Sequence, residues 1–196
     1  MKGIVLSKKM LAAYGIFVVL FSAQYAHAET VELGTPAFGG TGCPAGLVPQ
    51  VTISKGIISV RYNNFLLQDA AASLVGRANC SIRLPINING RYRVGVESIE
   101  LRGISRVPAQ ANLKFHADAG FVGAGQIAVD QTVTGPKGTQ NVRLAQRASS
   151  VERTACGADS MLSLNANMIF TKSQGATGVR GQARNLDAKL VLEACN

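Results

Sequence analysis

The 196-residue chain has no tryptophan, and phenylalanine and tyrosine together make up only 6% of it. Single-stranded nucleic acid is held on stacking platforms of exposed aromatics, so this scarcity argues against that ligand, and against sugar-binding faces built on the same device. Beyond residue 28 the aromatics reduce to Phe38, Tyr62, Phe65, Tyr92, Phe115, Phe121 and Phe170. Histidine is nearly absent, with only His27 and His116. There is no Gly-x-Ser-x-Gly elbow, no Gly-Lys-Ser/Thr ending to a phosphate loop and no Cys-x-x-Cys spacing, which removes the usual sequence signs of an α/β-hydrolase, a nucleotide-binding loop and a zinc site. Acidic residues are few as well: 11 Asp and Glu stand against 20 Lys and Arg, a formal net charge of +9. Such an excess favours acidic surfaces as partners without specifying a fold.

What the chain does have begins at its start. Lys2, Lys8 and Lys9 precede an apolar run from Met10 to Phe21 that closes on Ala26-His27-Ala28. A charged start, a short apolar run and a small-x-small site make a secretory signal peptide over residues 1–28; a membrane span needs about 20 apolar residues. No second run of membrane length follows, and Glu29 rather than cysteine follows Ala28, so no lipid anchor is expected at the new N-terminus. Residues 29–196 are then a single β domain, long enough to bury its own core, in a secreted protein, periplasmic or extracellular.

Along that domain apolar residues recur at every second position, and no long 3.6-residue period appears, which argues for strands. Ile82, Leu84, Ile86 and Ile88 alternate with Ser81, Arg83, Asn87 and Asn89, and Ile58, Val60 and Tyr62 with Ser59, Arg61 and Asn63. Pro85 marks its strand as an edge or a bulged one. Ser54-Lys55-Gly56 reads as a turn, and Asn89-Gly90 as a two-residue hairpin. A phase switch between Val96 and Ile99 predicts a bulge near Glu97-Ser98. Further strands are expected at 113–121, 127–133, 161–170 and 188–194, with Gly-rich loops at 134–158 and 172–185 and one short helix over 69–75 capped by Asp69. The pattern is an all-β antiparallel sandwich of short strands with disulfides; a closed β-barrel is the alternative.

Cys43, Cys80, Cys156 and Cys195 allow three connectivities. In an exported chain they read as disulfides before metal ligands, and neighbour pairing, Cys43 with Cys80 and Cys156 with Cys195, keeps one bridge in each half. Gly40-Thr41-Gly42-Cys43-Pro44, Arg77-Ala78-Asn79-Cys80, Leu101-Arg102-Gly103, Ala155-Cys156-Gly157, Leu164-Asn165 and the final Cys195 together resemble the secreted DUF4360 family over nearly the whole mature chain. Ile104, where that family usually has an aromatic, and the lack of tryptophan before Cys156 depart from its pattern. The resemblance implies secretion and a disulfide-bonded β fold, and supplies no catalytic residues, because the family is defined by an unknown function.

His116 and Asp118 would share a strand face as a dyad able to orient a base, but an exposed polar strand is the plainer reading. Glu97 and Glu100 could be a carboxylate pair, although a spacing of three puts them on opposite faces unless the bulge realigns them. The most suggestive feature is electrostatic. Lys137, Arg143, Arg147 and Arg153 in one expected loop, and Lys172, Arg180 and Arg184 in the other, would form a basic binding patch if the loops meet; two solvated loops are the simpler arrangement.

These readings combine into an exported, non-enzymatic β-sandwich acting as a structural or binding component of the periplasm, cell envelope or extracellular matrix. No cofactor or metal is expected, and the partner would be an acidic envelope or extracellular surface, not a specific nucleic acid sequence. The alternatives are a small secreted hydrolase using His116 and Asp118 with Glu97 or Asp130, and a secreted inhibitor or effector.

Overall fold

A computed structural model describes residues 31–70, 72–88 and 90–196; the expected signal peptide and Asn89 lie outside the described residues. In chain order the strands are β1 (Val31–Leu33), β2 (Ala37–Gly39), β3 (Gln50–Ser54), β4 (Ile57–Gln68), β5 (Val75–Ile88), β6 (Tyr92–Val107), β7 (Ala111–Phe121), β8 (Gln126–Thr134), β9 (Lys137–Arg147), β10 (Ser160–Lys172) and β11 (Arg180–Ala194). They form two antiparallel sheets, the first ordered β1-β5-β10-β7-β8 with β2 also on β5, the second β3-β4-β11-β6-β9. The sheets pack face to face and neither closes into a barrel.

Alternation decides which residues fill the space between them. Ile82, Leu84 and Ile86 from β5, Leu113 and Phe115 from β7, and Leu162, Leu164 and Phe170 from β10 meet Ile58, Phe65, Ile99 and Leu101 from the second sheet, all with almost no exposure. Each such side chain stabilises the fold by roughly 1.5–3 kcal/mol relative to an exposed one. The same alternation directs polar residues outward on both sheets, leaving two polar outer faces open to solvent.

Tyr62 is an exception within this core. Its ring packs edge-on against Phe65 with centroids 5.1 Å apart, yet its buried hydroxyl has no hydrogen-bond partner among the described residues. Burial, with Asp118 adding to it, pushes the phenol far above its ordinary range, so it stays protonated. Tyr62→Phe keeps the ring and removes the unsatisfied group. It is expected to raise stability by about 1 kcal/mol in urea unfolding, whereas a loss of that size would show that the hydroxyl has a partner.

Several local expectations hold. β3 and β4 form a hairpin through Lys55 and Gly56, at φ 50° and 74°. The bulge is where the phase switch puts it: Lys189 faces Ser98 and Leu190 faces Val96, leaving Glu97 as the extra residue. Pro85 is accommodated differently from expectation. β5 is not an edge strand, but its outer neighbour comes in two pieces, β1 against residues 86–88 and β2 against 81–83, so the missing N–H of Pro85 falls in the gap between them.

Other expectations are corrected. β5 and β6 do not form a hairpin, because β5 belongs to the first sheet and β6 to the second. Where a helix was expected over 69–75, the described residues show none: the Ser73 N–H bonds to the Ala70 carbonyl, and β5 already begins at Val75. Much of 134–158 and 172–185 is strand, not loop. As an edge strand, β9 needs only Val142 and Leu144 buried. The start of β11 places Gly181 and Ala183 inward, where a Cβ on Gly181 would stand 2.9 Å from Leu113. Small residues forced by close packing gave no apolar alternation to read.

Candidate functional site

The outer face of the second sheet gathers side chains from distant parts of the chain. β4 supplies Ile57, Ser59 and Arg61; β11 supplies Arg180, Gln182, Asn185, Asp187 and Lys189; β6 supplies Ser98, Glu100, Arg102, Ile104 and Arg106. β3 and β9 border them with Gln50 and Thr52 on one side, and with Thr139, Arg143 and Arg147 on the other. The bulge at Glu97 turns that carboxylate onto this face as well, so Glu97 and Glu100 are realigned to the same side.

Both carboxylates are engaged by cations. Arg143 donates to Glu100 from Nε at 2.9 Å and from Nη2 at 2.8 Å, and Arg102 also donates to it. The Arg143 and Arg102 bonds hold the Glu100 carboxyl down at about 2 against the opposing effect of burial. It is therefore ionised at neutral pH, without the proton that a glycosidase acid must give. Lys189, at 2.8 Å, and Arg147 do the same for Glu97, which is also held below its ordinary range. Arg102 further approaches Asp187 at 4.0 Å.

Arg106 and Arg180 are different. They stand directly opposite one another on β6 and β11, a register that puts Cβ atoms about 4.5–5.5 Å apart and makes like charges repel. Neither side chain has an ion-pair or hydrogen-bond partner among the described residues.

Three shallow hollows mark this face. One, of about 430 Å³, is lined by Gln50, Thr52, Ser59, Arg61, Arg102, Asn185 and Asp187. The second, about 440 Å³, shares Arg102 and Asp187 and adds Ile57, Glu100, Arg147 and Lys189. The third, about 280 Å³, starts at Ile104, the next outward residue of β6, and includes Arg106, Thr139, Arg180 and Gln182 with no carboxylate. A further hollow of about 280 Å³ lies at the seam between the sheets, with Arg147 and Glu152 as the charged residues of its lining.

The first sheet's outer face carries the histidine. The His116 Nε2 lies 3.0 Å from Asp118 and its Nδ1 2.9 Å from Asp130; Asp118 also accepts from Asn165 at 2.6 Å and from Gln126 at 2.5 Å. Lys114, at 3.0 Å, and His116 hold the Asp130 carboxyl below its ordinary range, against the effect of burial. Of the two candidate third acids, Asp130 joins the dyad and Glu97 is on the opposite face of the molecule. Both ring nitrogens are taken by carboxylates, and His116 lines none of the four hollows described.

The seven basic residues singled out from sequence do not share one loop cluster. Lys137, Arg143 and Arg147 belong to β9, and Arg180 and Arg184 to β11, with Arg184 the extra residue of a bulge between Ala183 and Asn185. Arg153 sits 2.8 Å from Glu193. Lys172 is buried against Asp69 at 2.8 Å. Sequence reasoning missed Arg61, Arg102, Arg106 and Lys189. Their only signal was an outward position in an alternating strand, and nothing local showed that β4 and β6 flank β11.

The cysteines are bridged as Cys43–Cys80 and Cys156–Cys195, with Cα separations of 5.3 and 6.0 Å. The short motifs have structural work around them. The Gly42 N–H donates to the Asn79 carbonyl at 2.8 Å, and the Asn79 N–H donates to the Thr41 hydroxyl at 3.3 Å. Gly40 is at φ +113°, and a Cβ on Gly42 would lie 2.1 Å from the Phe65 ring. Gly42→Ala is expected to cost about 1–3 kcal/mol through overpacking, read from the urea midpoint; an unchanged midpoint would mean that the loop does not sit on Phe65.

A protein-family model described as a domain of unknown function (DUF4360) matches residues 29–193. A comparison with curated protein sequences finds no significant match. Solved structures that overlap this chain include TmCBM61 in complex with β-1,4-galactotriose (12% identity, 82% of this chain and 88% of the other, TM-score 0.29). A loop-swap mutant of Necallimastix patriciarum Xyn11A also overlaps (8% identity, 82% and 100%, TM-score 0.22). So does a family 11 carbohydrate-binding module from Clostridium thermocellum in complex with a β-1,3-1,4-mixed-linked tetrasaccharide (9% identity, 84% and 91%, TM-score 0.21). At these TM-scores the overlaps carry no argument about this chain.

Proposed function

We propose that this chain, which belongs to the DUF4360 family of unknown function, is an exported, non-catalytic binding component that holds an acidic partner on the outer face of its second sheet. The N-terminal signal-peptide pattern and the two disulfides support the exported part of this reading. The observation that carries the binding part is the charge of that face. Arg61, Arg102, Arg106, Arg143, Arg147, Arg180 and Lys189 outnumber Glu97, Glu100 and Asp187 there. On the first sheet's outer face, Arg77, Arg83, Lys114 and His116 stand with Glu32, Asp118 and Asp130. The partner is attracted to one side of the sandwich rather than to the whole molecule.

Two double variants of equal charge test this. Arg61→Gln with Arg180→Gln alters the second sheet, and Arg77→Gln with Arg83→Gln the first. On a heparin column the first pair is expected to elute at clearly lower salt than the parent protein and the second to elute near it, since screening weakens exposed charge contacts. Equal shifts for both would sink the assignment to one face.

A further inference from the structure

We infer that the ligand of this face is a polysaccharide bearing carboxylate or similar oxyanion groups, and that Arg106 and Arg180 form the subsite that grips one such group. The inference rests on the second sheet's outer face being the binding surface, and it concerns what that surface selects.

Two arrangements of arginine on the face make the case. Arg102 and Arg143 also stand directly opposite one another on β6 and β9, but Glu100 lies between them and accepts from both. Their repulsion is relieved within the protein. At Arg106 and Arg180 the same juxtaposition has no carboxylate, and the rest of the hollow's lining, Ile104, Ser105, Thr139 and Gln182, is uncharged. A cross-strand cation pair without a counterion is unfavourable in the free protein, and an oxyanion seated between two guanidinium groups would relieve it through charge-assisted bonds.

The rest of the face selects the carrier of that oxyanion. The neighbouring hollows mix donors and acceptors: Gln50, Ser59 and Asn185 with the carboxylate of Asp187 in one, Glu100 in the other. Hydroxyl groups both donate and accept, so a sugar chain satisfies such a lining. A nucleic acid or an anionic bilayer presents phosphates throughout, which these carboxylates repel. Among the described residues the face also has no exposed aromatic platform for bases. Arg102 lines both hollows, and Ile104 of the third follows it on β6, so the three lie next to one another and suit an extended chain.

The test is affinity electrophoresis of the disulfide-intact mature protein through gels containing polygalacturonate, its fully methyl-esterified form, or no polymer, with anionic phospholipid vesicles and duplex DNA assayed by co-sedimentation and gel shift. The parent protein is expected to be retarded by polygalacturonate and not by the ester. Arg106→Gln with Arg180→Gln is expected to weaken that retardation about tenfold or more, as the loss of charge-assisted bonds implies. Both side chains are exposed and mutually repulsive, so this variant should melt no lower than the parent; a lower melting point would contradict the unrelieved repulsion on which the subsite stands. Equal retardation by acid and ester overturns the oxyanion requirement. Retardation of the parent with no change in the double variant overturns the subsite and leaves the face assignment standing. Binding to vesicles or DNA but not to polygalacturonate overturns the polysaccharide class. No binding to any of them, together with no heparin retention, overturns the face assignment too.

Discussion

Lys172→Ala is expected to lower the unfolding free energy by about 3–5 kcal/mol, the range for breaking a buried ion pair from one side. The Lys172 side chain is 1% exposed and that of Asp69 6%. Lys172 Nζ donates to Asp69 at 2.8 Å, and the Gly178 N–H donates to both Asp69 oxygens at 3.2 and 3.1 Å. β10 of the first sheet thereby joins the segment after β4 of the second. Burial alone would raise the Asp69 carboxyl, but the bonds from Lys172 and Gly178 outweigh it and hold the group below its ordinary range. A carboxyl depressed in the folded state contributes stability that is present above the unfolded value of about 3.9 and is lost as pH falls through the lower folded value. The cost of Lys172→Ala should therefore shrink in acid, where Asp69 becomes protonated. Urea unfolding at pH 7 and pH 3 reads this. Arg143→Ala is the contrast: its partner Glu100 holds a side chain that is itself 70% exposed, and a loss under about 1 kcal/mol is expected. A similar small loss for Lys172→Ala would mean that the pair is solvated.

Cys80→Ala is expected to cost about 3.8 kcal/mol from loop entropy alone, since its bridge to Cys43 spans a sequence separation of 37. Cys195→Ala opens a loop of nearly the same size, with a separation of 39, so the entropic term is almost equal. The surroundings differ. Cys43 and Cys80 are 3% and 1% exposed, whereas Cys156 is exposed and Cys195 half-buried. Truncating Cys80 also leaves a gap in the core, so it should be the more damaging of the two under otherwise equal conditions. Calorimetric melting of both variants checks the order; equal losses would assign the whole effect to the unfolded chain.

How much of this was legible in the sequence depends on what each signal is made of. Where one face is apolar and the other wet, as in β5 and the middle of β4, alternation exposes the strand. The bulge at Glu97 was visible because it reverses the phase of a long strand. β9 and the start of β11 were hidden, because an edge strand needs few buried residues and because Gly181 and Ala183 are small where the two sheets approach. The hairpin signal at 89–90 is local, whereas the sheet a strand joins is decided by distant partners. The same limit applies to the candidate site. Arg143, Arg147 and Arg180 could be picked out as basic, but their shared face with Arg61, Arg102 and Arg106 exists only once β4, β11, β6 and β9 lie side by side. Lys172 was misread as a solvated loop cation because its partner Asp69 is 103 residues away.

The central claim is that the second sheet's outer face holds the ligand, and side-chain Nε–Hε NMR of arginine tests it most directly. On titration with short polygalacturonate chains, the resonances of Arg61, Arg102, Arg106 and Arg180 are expected to shift together and saturably, while those of Arg77 and Arg83 stay in place. Shifts confined to Arg77 and Arg83, or spread evenly over all of them, would contradict it.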